Sequence, residues 1–64
     1  MTKRIRIENA DTNTTVKVVV EVWDKFEGQA PMLDRVITLS NPTDMTPSDI
    51  YLTKNRYLVV KEAE

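Results

Sequence analysis

The 64 residues include nine Lys plus Arg, ten Asp plus Glu, no His and no Cys, for a net charge of −1. Disulfides are excluded, thiolate- or imidazole-bound zinc is excluded, and the cationic surplus that long nucleic acid requires is missing. A chain this short buries only about 60% of its unfolded surface, so oligomerisation is the remaining aid to stability.

Val, Ile and Thr supply 20 of the 64 residues (eight, four and eight), and Gly28 is the only glycine. Branching at Cβ is better tolerated in a pleated strand than in a helix, which points to an all-β fold. The first strand is expected over Lys3 to Glu8, with Ile5 and Ile7 inward and Arg4, Arg6 and Glu8 outward. Asn9 and Asp11 to Thr14 form a turn, because their side chains hydrogen-bond local backbone, and a hairpin to the second strand is the simplest connection. From Thr15 to Lys25 the alternation puts Val16, Val18, Val20 and Val22 on one face and Lys17 and Glu21 on the other.

Glu27 to Pro31 marks the next turn, and a third strand follows over Leu33 to Ser40 with Leu33, Ile37 and Leu39 on one face. Pro42 and Pro47 exclude a central strand between Asn41 and Asp49. Thr46-Pro47-Ser48-Asp49 has the order of a helix start, but no more than a single 3₁₀ turn is expected. Ile50 to Thr53 and Arg56 to Glu62 then read as a closing hairpin around Lys54-Asn55. The expected architecture is about five short antiparallel strands in one domain, a small open barrel or a compact sandwich. The extreme residues Met1, Thr2, Ala63 and Glu64 are expected to fray.

Apolar residues also occupy the opposite face of several strands. Val19 and Trp23 share the side of Lys17 and Glu21, Val36 lies opposite Ile37, and Tyr57 and Val59 alternate with Leu58 and Val60. So short a chain has little material with which to cover two apolar faces, and uncovered patches of this kind mark interaction sites. Val19, Trp23, Val36, Tyr57 and Val59 are therefore the expected surface for an oligomer or another partner; wrapping into one tiny barrel is the competing arrangement.

Catalytic chemistry has few carriers. There is no imidazole base and no thiol nucleophile, and Ser40 and Ser48 stand beside turn signals. Carboxylates such as Glu21, Asp24, Glu27 and Asp34 read as strand and turn charges, so an enzyme is not expected. One glycine cannot build a phosphate loop, and Asp11 to Thr15 lacks the glycine and closing glutamate of a calcium loop. No cofactor or metal is implied. Basic residues gather at Lys3-Arg4-Arg6 and Lys54-Arg56-Lys61. If the first and last strands were neighbours, Arg4, Arg6, Lys54 and Arg56 beside Tyr51 would form a stripe able to take a small anion such as a nucleotide. The alternative reading is cation-rich edge strands that resist aggregation. No apolar run approaches the ~20 residues of a membrane helix, and no apolar segment follows the basic start, so a cytoplasmic chain is expected.

Ile5 to Ala10, Val18 to Lys25, Asn41 to Met45 and Arg56 to Glu62 together resemble small, functionally uncharacterised β proteins encoded in tailed-bacteriophage genomes. The resemblance implies a viral setting, where very short proteins are virion components or inhibitors of host defence. The expectation is a non-enzymatic accessory module that occludes a host protein or sequesters a small anionic ligand; the alternative is a decoration or tail-associated virion protein.

Overall fold

The computed structural model describes residues 2–10 and 16–63. Over these residues the protein is all-β, with β1 (Lys3–Arg4), β2 (Lys17–Asp24), β3 (Met32–Leu39), β4 (Tyr51–Leu52) and β5 (Arg56–Ala63). Two antiparallel sheets form: a three-stranded sheet ordered β3-β2-β5 and a two-stranded one, β1-β4. The strands do not close into a barrel. The expected turn at Asp11 to Thr14 and the loop through Thr15 lie outside the described residues, as do Met1 and Glu64.

Strand β2 is central because its valines serve both neighbours. Val20 lies opposite Ile37 of β3 and Val60 of β5, and Val18 opposite Leu39. Val20, Val22 and Leu39 on this face are buried, and Ile50 joins them from beyond the sheet. Complete burial of such a side chain is worth about 2 kcal/mol, so this small cluster carries much of the apolar stabilisation.

The cover over this face is an arm in which residues 3–9 run antiparallel to residues 43–52. Ile5 N–H donates to Ile50 C=O (3.0 Å), Thr46 N–H to Ile7 C=O (2.9 Å) and Asn9 N–H to Asp44 C=O (2.8 Å). The Thr46 hydroxyl accepts Ile7 N–H at 3.0 Å, which satisfies a donor where Pro47 to Asp49 leave the ladder. The arm is tied to the sheet by Asn9 Nδ2, donating to Leu39 C=O at 3.4 Å, and by an Arg35–Asp49 ion pair at 3.0 Å.

Three expectations about connection and facing change. β1 pairs with β4 and not with β2. β4 and β5 share a turn, in which Arg56 N–H donates to Thr53 C=O at 3.1 Å, but they diverge into different sheets and form no hairpin. Third, a bulge leaves Asp34 unpaired between Arg35, opposite Val22, and Leu33, opposite Trp23. The extra residue carries Leu33 to the face opposite Ile37 and Leu39, because side chains alternate strictly with pairing. Ala63, expected to fray, pairs with Lys17 at the end of β5.

Candidate functional site

The face of the three-stranded sheet turned away from the arm carries Val19, Trp23, Val36, Tyr57 and Val59 together. The register places Glu21 between Val36 and Val59, Trp23 between Leu33 and Tyr57, and Val19 beside Lys61. Val36 is 50% exposed, Leu33 47% and Tyr57 41%. All five residues singled out in the sequence therefore share one open face. Leu33 lies on this face and not with Ile37 and Leu39 as its spacing predicts, and no alternation signal betrays the bulge that moves it.

A polar brace crosses this apolar strip. Trp23 Nε1 donates to Glu21 Oε1 at 3.0 Å, and Lys61 Nζ pairs with Glu21 Oε2 at 3.0 Å. The Trp23 hydrogen bond, then the Lys61 contact, hold the Glu21 carboxyl below its ordinary pKa. Trp23 lies nearly parallel to Tyr57, with ring centroids 6.5 Å apart and 7° between planes. The brace fixes the indole in one orientation, so the aromatic pair is presented rigidly. Residues two apart on a strand share a face, so this Glu21–Trp23 contact was readable from spacing.

The basic set is brought together only in part. Arg4 lies opposite Tyr51 in the arm, and Arg4 and Arg6 line, with Ile5 and Ser48, an open depression of about 220 Å³. Lys54 is exposed in the turn after β4. Arg56 does not join them: Nε donates to Asp24 Oδ1 at 2.8 Å, and Nη2 to Asp24 Oδ2 at 3.1 Å and Asp34 Oδ2 at 3.5 Å. The expected continuous stripe is absent because β1 pairs with β4 while β5 pairs with β2. Lys61 is likewise committed to Glu21, on the other face.

Among the described residues no group of His, Cys, Asp or Glu could hold a metal ion, and no helix is long and apolar enough to cross a membrane. Ser40 N–H donates to the Asp44 carboxylate at 3.1 Å within a turn. No protein-family model, curated protein or solved structure matches the chain.

Proposed function

We propose that this chain is a non-enzymatic binding module whose open sheet face, carrying Val19, Trp23, Leu33, Val36, Tyr57 and Val59, occludes a protein partner. In the viral setting implied by the phage resemblance, that partner is a host protein, and the outcome is inhibition of host defence. The observation that carries the reading is the exposed strip of Val36, Leu33 and Tyr57 on the face turned away from the arm. Apolar patches on a sheet face favour a protein surface over a small anion, and tyrosine and tryptophan dominate the energetics of such interfaces. The anion reading is weaker because Arg56, its central cation, is neutralised by Asp24 and Asp34.

The test begins with a host protein captured by the chain, purified and titrated back against it. Val36→Lys and Tyr57→Ala should each weaken that complex by about tenfold or more, equivalent to about 1.4 kcal/mol. Arg4→Glu, in the arm, should leave it unchanged. Full affinity in both face variants would overturn the assignment.

A further inference from the structure

We propose that the chain forms a two-fold dimer by pairing β5 with β5 of a second copy, edge to edge, in the register centred on Val59. The proposal stands independently of the partner reading above.

The two outer strands of the three-stranded sheet differ in their protection. β3 is interrupted by the bulge at Asp34 and carries Asp34 and Arg35 at its centre. β5 pairs with β2 residue for residue over its whole length, with no bulge and no proline. An unbroken edge of this kind is a template for another strand.

The backbone groups that face outward follow from one bond. Lys25 N–H donates to Asn55 C=O at 2.7 Å, one step beyond the β2–β5 ladder and in the same register. Hydrogen-bonded pairs recur every second residue, so Tyr57, Val59 and Lys61 aim their N–H and C=O groups at β2. Leu58, Val60 and Glu62 aim theirs at the outer edge, where no described strand pairs. Arg56 offers its carbonyl there, since its N–H is used by Thr53 C=O.

Symmetry then limits the registers. An antiparallel pair of identical strands needs a two-fold axis perpendicular to the sheet, passing through one residue and its copy. Centring on Lys61 sets lysine against lysine, and centring on Val60 sets Leu58 against Glu62. Centring on Leu58 pairs Tyr57 with Val59 and Arg56 with Val60, and carries Lys61 and Glu62 past the start of the partner's β5 to face its turn residues Asn55 and Lys54. Centring on Val59 places Arg56 opposite the partner's Glu62, Tyr57 opposite the partner's Lys61, Leu58 opposite the partner's Val60, and Val59 against itself. The aliphatic pairs then meet at the axis, and Tyr57 lies beside a Lys61 that keeps its Glu21 contact. Glu62 lies beside an Arg56 already paired with Asp24 and Asp34, so the apolar centre and not the charges favours this register. In this register Leu58 N–H meets the partner's Val60 carbonyl, Val60 N–H the partner's Leu58 carbonyl, and Glu62 N–H the partner's Arg56 carbonyl, each bond made twice. The product is one continuous sheet of twice the width, and its two open apolar faces merge at Val59.

The chain has no native cysteine, so an introduced one is the only thiol. Val59 would meet its copy in a non-hydrogen-bonded pair with Cα atoms about 4.5 Å apart, within disulfide reach. Val59→Cys should oxidise to a covalent dimer at least about tenfold faster than Val36→Cys, which sits on the same face away from the axis. In sedimentation equilibrium the unmodified chain should shift from monomer to twice the monomer mass over about a hundredfold range of concentration. Val60→Pro removes an outward donor without touching the β2 ladder and should abolish the shift. Val60→Lys, at a half-exposed position that faces the partner's Leu58, should weaken dimerisation about tenfold even if the proline variant fails to fold. Val36→Lys should remain dimeric, which separates failure of the partner reading from failure of this one. A monomer at every concentration, or faster crosslinking at Val36 than at Val59, would overturn the proposal.

Discussion

Thr43 sits at φ 68°, in the left-handed region that a β-branched residue enters only with strain. Its neighbours hold it there. Thr43 N–H donates to Asn9 C=O at 2.7 Å, and the Asp44 carboxylate accepts Ser40 N–H at 3.1 Å and Asn41 N–H at 2.9 Å. The tight turn after β3 thus stores strain in order to lay Asp44 and Thr46 beside the first segment. Thr43→Asn, which tolerates that conformation, should stabilise the fold by about 1 kcal/mol. Gly28 has the converse role. Its φ of 78° closes a turn in which Gln29 N–H donates to Phe26 C=O at 3.0 Å, and an added Cβ would meet nothing within 4 Å. Gly28→Ala should therefore destabilise by about 1 kcal/mol through backbone strain alone. Urea midpoints moving in opposite directions for the two variants would confirm both assignments; a destabilised Thr43→Asn would contradict the turn geometry.

At the scale of elements, what could be read in advance was what side-chain period encodes. The valines of β2, both faces of β5 and the position of β3 follow from alternation and turn residues, which are local. The pairing of β1 with β4 was hidden because short strands find partners through distant burial, here of Ile50 and Thr46 within the arm. The bulge at Asp34 was hidden because a single extra residue leaves no trace in composition. Arg56 is drawn out of the basic stripe chiefly by Asp24, directly opposite it on β2, and Asp34 adds a longer contact from the bulge. The Asp24–Arg56 pair spans β2 and β5 at a position where the two side chains are 18% and 23% exposed. Hydrogen bonds from Arg56, with its charge beside them, hold the Asp24 carboxyl below its ordinary pKa, and Glu21 shifts the same way through Trp23 and Lys61. A carboxyl depressed in the folded state adds stability above its unfolded pKa, about 3.9 for Asp, and loses it as pH falls toward the folded value. The urea midpoint should therefore drop below about pH 5, and Asp24→Asn should flatten that acid limb while lowering the midpoint at neutral pH. An acid limb equally steep in the variant would show that the pair does not link β2 to β5 in solution.

Among the described residues of the whole molecule, the arm covers part of one side of the main sheet and the other side has no cover. On the covered side Val20, Val22 and Leu39 are buried but Val60 is 51% exposed. Its accessible surface is 4808 Å², against about 4200 Å² expected for a compact protein of this mass. Its radius of gyration is 12.8 Å, against about 10.7 Å for a compact chain of this length, and its extents are 41 × 24 × 12 Å. Three eight-residue strands make a plate, and over the described residues the arm does not wrap it. Stability must then reside almost wholly on one face, which separates two valines of similar chemistry. Val20 is fully buried and Val36 half exposed. Val20→Ala should cost on the order of 2 kcal/mol, a large share of the few kcal/mol available to so small a core. Val36→Lys should change the stability of the dilute chain by less than about 0.5 kcal/mol. Trp23, the only tryptophan, reports unfolding by fluorescence in both variants. Equal losses at the two positions would mean that the second face is covered within the chain itself, and would leave neither a partner surface nor a reason for the plate to be so thin.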